Sequence, residues 1–349
     1  MKITGVKAVY PRYQHVVPSW RTHFWQIVVQ VETDVGAIGL GYGGGGVAGV
    51  EIVNRHYREL LIGKEVDSVD DVAGLWNYLY AESLPYGRKG LAIMALSGVD
   101  LALYDLLGKA ADKPVYEVLG GARKSHIMAY ATGPNSQAYR DYGFLHHKFP
   151  HRFTGDPADY ESAVTAAANA RQIYGSDARI MVDCYMSWDV EVTKRMAEIL
   201  AEFNPYWYED VLTPDDLPGQ ADLRTVAAPA LIAGGEHEFT HHGFAGIARA
   251  GALGLWQPDI TWCGGITAGR RIIDLARGAG VPVSPHRGAE VWGLHLIVAS
   301  DWADFAEMHS DHINAQRDEL WLDEPQVVDG YITPPDRPGF GVTLNEAML

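Results

Sequence analysis

Tyr206-Trp207-Tyr208-Glu209 sets the pattern from which the fold is read: three aromatic residues, then a carboxylate. Upstream, Ile180-Met181-Val182 runs into Asp183, and downstream Leu231-Ile232-Ala233-Gly234-Gly235 runs into Glu236. The series continues with Leu255-Trp256-Gln257-Pro258-Asp259, Val283-Ser284-Pro285-His286 and Asp304-Phe305-Ala306-Glu307. These polar residues follow one another at steps of 26, 27, 23, 27 and 21, each about one strand–helix unit. Ala-rich amphipathic segments at 158–173, 189–203 and 267–279 lie between the runs, with the spacing expected of helices. Strands are expected at 127–132, 143–149, 179–184, 206–210, 230–234, 254–257, 281–284 and 303–308. Alternating β and α at this period predicts parallel βα units, and eight of them suggest a closed α/β barrel. The C-terminal ends of barrel strands converge on one mouth. The ladder therefore places five carboxylates and a histidine around a single cavity.

Such crowded carboxylates raise one another's pKa values, and a divalent cation relieves the crowding. Three oxygen donors, Asp183, Glu209 and Glu236, suit Mg²⁺, which keeps open positions for a substrate. Zinc would call for more imidazole. Asp259 and His286 form a second set, in which a carboxylate fixes the tautomer of an imidazole and raises its pKa. That makes a proton-transfer group for neutral pH. His237 follows a metal-ligand candidate and is read as a substrate contact or a support for that ligand. Strand alternation puts His146 and Lys148 on one face and His147 on the other, which makes His146 a candidate substrate contact. Arg21 and His23 lie in a polar, aromatic loop and are candidates for binding distal hydroxyls, or are solvated loop residues.

The first third reads differently. Strands are expected at 2–10 and 24–33, followed by a glycine-rich turn into Ile38-Gly39-Leu40-Gly41-Tyr42. Helical spacing covers 48–62 and 68–82, and Gly90 to Lys109 reads as a buried helix interrupted by Asp100 and Asp105. The run Gly43-Gly44-Gly45-Gly46 lacks the Lys-Ser/Thr ending of a phosphate loop, so it is read as a hinge. With 349 residues, 47% of them hydrophobic, the chain can bury a large core. A net charge of −16 repels nucleic acid and anionic lipid. Cys184 and Cys263 carry no metal spacing, which favours a reduced, cytoplasmic protein. No secretory signal is expected at the start, and no run is expected to reach the length of a membrane span.

The order Asp183, Glu209, Glu236, then Asp259 with His286, resembles the mandelate racemase branch of the enolase superfamily. Gly98-Val99-Asp100-Leu101-Ala102-Leu103-Tyr104-Asp105, Met181-Val182-Asp183-Cys184-Tyr185-Met186-Ser187 and Trp262-Cys263-Gly264-Gly265 are similar to its L-rhamnonate dehydratase group. The resemblance implies a modified (β/α)₇β TIM-type barrel at 126–320, an N-terminal α+β capping domain at 1–125, and a C-terminal tail at 321–349 that returns to complete the cap. It implies Mg²⁺-dependent dehydration of a small-molecule sugar acid, an L-rhamnonate-like aldonate, to a 2-keto-3-deoxy acid. A base, with His286 the first choice, removes the C2 proton. The ene-diolate is held by Mg²⁺ and Lys148, and Glu307 corresponds to an acidic group that polarises the intermediate. A homo-oligomer is expected. Racemisation, epimerisation or cycloisomerisation of an acid sugar, or non-catalytic sugar-acid binding, remain open on the same scaffold. The departures from the group's pattern are His146-His147 before Lys148, Glu238 after His237, Arg287-Gly288-Ala289-Glu290 after His286, and a short Tyr13–His23 loop.

Overall fold

The β-branched segments near the start form an antiparallel meander of β1 (Ile3–Val9), β2 (Ile27–Thr33) and β3 (Ile38–Gly43). The computed structural model describes residues 1–313 and 317–349. Strand β2 starts later than expected, because Arg21–Phe24 turns as a short helix and continuous burial begins only at Gln26. Helical structure then covers Gly46 to Leu61, with a π-helical stretch at Ile52–Tyr57, and Val69–Gly87.

Helix Leu91–Ala110 lies directly on β3. Alternation along β3 turns Gly39, Gly41 and Gly43 to one face. A Cβ at Gly41 would run into the carbonyl oxygen of Gly98, and one at Gly39 into that of Ala102. These glycines are there because the helix backbone approaches too closely for any side chain. By length and a mean hydropathy of 1.6 this helix could cross a membrane, which corrects the expectation that no run reaches that length. It is instead the core helix of the cap. Its two buried aspartates are anchored, Asp100 by the Thr267 N–H and hydroxyl and Asp105 by Lys109, the Leu40 N–H and the Phe340 N–H.

The second half curls a parallel sheet. Its strands are β4 (Ile127–Thr132), β5 (His147–Pro150), β6 (Ile180–Asp183), β7 (Trp207–Glu209), β8 (Leu231–Gly234), β9 (Leu255–Trp256) and β10 (Phe305–His309). The order is β10-β4-β5-β6-β7-β8-β9. The strand expected at 281–284 is reduced to one residue. Val283 bridges Trp256 on one side and Ala303 on the other, closing the ring. Pro282 and Pro285 flank it and supply no N–H to a ladder. Most other strands are also shorter than expected.

Inside the ring, Tyr130, Met181, Trp207, Ala233, Leu255 and Phe305 pack together as an apolar floor. The next inward position on each strand is two residues on, about 7 Å nearer the mouth. There the sequence supplies Thr132, Asp183, Glu209, Gln257 and Glu307. The same period that fills the barrel thus lays a polar layer on top of it. The tail adds β11 (Trp321–Leu322), β12 (Tyr331–Ile332) and β13 (Thr343–Leu344). Strand β12 pairs antiparallel with β4, and β11 with β13. The tail then completes the cap through Val115 N–H to Gly339 O (2.9 Å) and Arg12 N–H to Met348 O (2.7 Å).

Two predictions follow from this packing. Gly41→Ala overpacks the strand–helix contact and should cost about 2 kcal/mol or more, read as a lower thermal midpoint without loss of secondary structure. Burial pushes the Asp100 carboxyl up to about 7, against the hydrogen bonds from Thr267. Between its unfolded value near 4 and about 7, the folded state holds a proton that the unfolded chain has lost, so stability falls as pH rises. Asp100→Asn cannot ionise. Wild type should therefore lose about 2–3 kcal/mol relative to this variant between pH 5 and pH 7.5, by urea unfolding.

Candidate active site

Lys148 extends from β5 into the polar layer and is 1% exposed. Its Nζ pairs with Glu209 Oε1, lies 2.7 Å from Glu307 Oε1 and 3.7 Å from Asp183 Oδ2. Glu209 is held further by Trp207 Nε1 (2.9 Å) and Gln257 Nε2 (2.6 Å), both donating to Oε2. Glu307 accepts from the Thr132 hydroxyl and, at 2.9 Å, from the Arg287 N–H. Burial works to lower the Lys148 pKa, but Glu209 and Glu307 outweigh it and hold the ammonium charged. One ammonium cannot neutralise this many carboxylates. Burial, reinforced by Asp183, Glu307 and Glu236, pushes Glu209 up to about 8 against the pull of Lys148. Asp183 is raised as well, by burial and by Glu236 and Glu307.

Across the mouth, His286 Nδ1 meets Asp259 Oδ2 at 2.8 Å. The other carboxylate oxygen, Oδ1, accepts from the Thr261 N–H and hydroxyl, both at 2.7 Å. His286 Nε2 lies 3.4 Å from Glu236 Oε2, and the ring packs against Trp262. Burial would depress this imidazole, but Glu236, Asp259 and Glu307 outweigh it and raise it to about 10. The dyad opens through His286 on a cavity of about 140 Å³ between the N-terminal loop and the tail, walled by Tyr13, Arg21, Trp25, Tyr42 and Trp321 among others. Arg287 forms a two-pronged pair with Glu290, at 2.7 Å on each arm. Arg317 pairs with Glu324 at 3.2 Å. The charges on this wall are thus largely answered within the wall itself.

Two sequence-predicted site residues are not brought here. His146 faces inward like Lys148, as alternation requires, but one layer deeper. Its ring packs edge-on against Phe305 of the floor, and its Nδ1 accepts from the Arg179 N–H. It therefore sits below the mouth and cannot touch a substrate there. His23 is exposed and is not part of the cavity wall. Arg21 does line the cavity, stacked on Trp25 at 4.5 Å. His237 stacks on Trp262 and lies 3.3 Å from Glu236 Oε1. The sequence reading missed Asp210. Its backbone is left-handed (φ 45°), which breaks strand alternation and turns its carboxylate toward the end of β8. There Asp210, Glu236 and His237 offer atoms within 4.8 Å of one another. Two adjacent acids at a strand end were the available signal. Gln26, Thr261 and Gln257 were also missed.

The donor chemistry fits a hard divalent cation. Asp183, Glu209 and Glu236 are oxygen donors on consecutive strand ends, and burial and mutual repulsion have raised two of them. The comparisons agree with the architecture. The family described as mandelate racemase / muconate lactonizing enzyme, N-terminal domain, matches residues 12–120, and that described as enolase C-terminal domain-like matches residues 135–348. L-rhamnonate dehydratase of Saccharopolyspora erythraea is 36% identical over 97% of this chain and 88% of its own length. The crystal structure of L-rhamnonate dehydratase from Gibberella zeae superposes with a TM-score of 0.90 at 31% identity, over 99% of this chain and 94% of that one. The rhamnonate dehydratase from the same organism complexed with Mg gives a TM-score of 0.90 at 29% identity, covering 99% and 95%.

Proposed function

The chain belongs to the enolase superfamily, and we propose that it is an acid-sugar dehydratase acting on an L-rhamnonate-like aldonate. The observation that carries this reading is the Asp259–His286 dyad set against the carboxylate cluster, with His286 Nε2 3.4 Å from Glu236 Oε2 and the same imidazole on the wall of a cavity. The names of its relatives support it. Asp183, Glu209 and Glu236 would hold Mg²⁺, which supplies a Lewis acid for the substrate carboxylate and offsets the crowded negative charge.

The chain's own groups divide the remaining work. Asp259 occupies Nδ1 of His286 and leaves Nε2 as the nitrogen for proton transfer. The proton that Glu236 and its neighbours hold on the imidazole must first be released to solvent, which a cation on Glu236 would favour, before Nε2 can take the C2 proton. The electron pair left at C2 spreads onto the substrate carboxylate, where the Lys148 ammonium donates to the developing charge. Glu307, Thr132 and the Arg287 N–H hold Lys148 and its partner carboxylate in place. The 3-hydroxyl then leaves, and a proton returned by His286 makes it water if the elimination is syn. The enol left behind tautomerises to the 2-keto-3-deoxy acid. His237 supports Glu236 from the Trp262 side. The internally paired wall suits a neutral polyol end, with Arg21 at its rim, better than a second carboxylate.

Chelator-treated protein should be inactive and should recover with Mg²⁺. Asp183→Asn should lose activity by several orders of magnitude while its thermal midpoint stays near that of the wild type, because barrel stability resides away from the mouth. Asp210→Asn should weaken Mg²⁺ binding by about 10–100-fold, as the loss of an outer support of a ligand does. Full activity in Asp183→Asn would overturn the metal assignment. For the dyad, His286→Asn should abolish exchange of the C2 hydrogen with deuterated solvent and leave Mg²⁺ affinity nearly intact, and Asp259→Asn should cost less. Wild-type exchange in His286→Asn would assign the base to another group, Lys148 first.

A further inference from the structure

Gln26 is fully buried at the entrance to β2, and no role in the chemistry described so far uses it. Its side chain crosses from the cap to the barrel. Nε2 donates to Thr261 Oγ1 at 2.8 Å, and Oε1 accepts from Trp262 Nε1 at 2.8 Å. The indole N–H can only donate, so it fixes which way the Gln26 amide faces. The amide donor in turn occupies the Thr261 oxygen and leaves the single hydroxyl proton for Asp259 Oδ1. Every bond in the series therefore runs one way: Trp262 to Gln26, Gln26 to Thr261, Thr261 to Asp259. His286 closes it from the other side of the same carboxylate. Gln26, Thr261 and Asp259 are each 3% exposed or less, so they satisfy one another away from bulk water. Partly satisfied networks of this kind are costly and lose their geometry.

The same residue also ties down the loop that walls the cavity. The backbone carbonyl of Gln26 accepts from the Tyr13 hydroxyl at 3.1 Å, and Trp20 and Trp25 pack edge-on against Trp262. We propose that Gln26 is a positioning residue of the cap, acting through Thr261 to hold Asp259, and with it His286, in the orientation that moves the C2 proton. The seating of the cap loop is thereby coupled to the dyad. This inference rests on the reading of His286 as the proton-transfer group.

The test uses Gln26→Leu, which removes the amide at similar volume, and Gln26→Glu, which keeps the acceptor for Trp262 but removes the donor to Thr261. Both should lower kcat by about 10–100-fold, the range seen when an orienting partner is lost, with KM and Mg²⁺ affinity changed less than about threefold. The primary isotope effect for substrate deuterated at C2 should rise, because proton transfer becomes slower relative to the other steps. A loss of folded enzyme would lower kcat and leave that isotope effect where it was. In an Asp259→Asn background the same substitutions should have almost no further effect, since residues acting through one partner are not additive. In Mg²⁺-free protein, the downfield proton signal of the His286 Nδ1–H should shift in Gln26→Glu. Thr261→Val severs the same series and carries the same expectations should Gln26→Leu fail to fold. Additive losses in the Asp259→Asn background, or an unchanged isotope effect and imidazole signal, would overturn the proposal. Retained C2 exchange in His286→Asn would instead overturn the functional reading on which it rests.

Discussion

The ammonium of Lys148, buried among Glu209, Glu307 and Asp183, is the contact around which the mouth of the barrel is arranged. A charge this deep survives only if it is paired, and a set of carboxylates this dense survives only if it is neutralised. Each needs the other, but they do not balance. Asp183, Glu209, Glu236, Asp210 and Glu307 outnumber the lysine, and the excess appears as carboxyls raised by burial and by one another. A structure built for stability alone would not place this layer over a well-packed apolar floor. Buried ion clusters seldom out-stabilise hydrophobic replacements. The excess negative charge is what a bound divalent cation would offset.

Much of the fold is legible in the sequence because two periodicities coincide. The period of the strand–helix unit spaces the polar residues along the chain, and the period of two within each strand sets them above the floor. Trp207 and Glu209, Met181 and Asp183, and Phe305 and Glu307 are the same register read at two heights. The failures have physical causes as well. Alternation specifies a face but not a depth, so His146 was grouped with Lys148 although it belongs to the floor. A left-handed residue breaks alternation without an obvious signature, so Asp210 went unnoticed. Prolines on both sides of Val283 reduce a strand to a bridge, and hydropathy does not register the missing donors.

The interface between cap and barrel was the least legible feature. Gln26 and Thr261 are 235 positions apart, as are Asp105 and the Phe340 N–H. No local pattern pairs such residues. The contacts are nevertheless consistent in kind. Asp100 receives Thr267, Trp76 donates to the Gly264 carbonyl, Ser97 accepts from the Gly264 N–H, and Lys89 reaches Glu238. The three barrel-side residues in these contacts, Thr267, Gly264 and Glu238, lie in the loops and helix start that follow β8 and β9. The cap is therefore fastened mainly to one sector of the mouth, the sector that carries Glu236 and Asp259.

That asymmetry bears on how specificity and chemistry are joined. The strand ends of β5, β6 and β7 supply Lys148, Asp183 and Glu209 from inside the barrel, held by barrel partners such as Trp207 and Gln257. The dyad sits where the cap is attached, with Trp262 touching His286, His237, Trp25 and Trp20. A change in the cap loop can reach the dyad through buried polar bonds and ring packing. It reaches Glu236 through His237 and His286, whereas Lys148, Asp183 and Glu209 are held by one another and by barrel partners. Evolution of the cap loop for a different sugar acid is thus constrained on the side facing Trp262 and Gln26. It is freer on the side facing Tyr42 and the tail, where paired charges such as Arg287 with Glu290 already satisfy one another. Substrate range in this scaffold should therefore vary more readily through the wall nearest the tail than through the residues that seat the cap on the dyad.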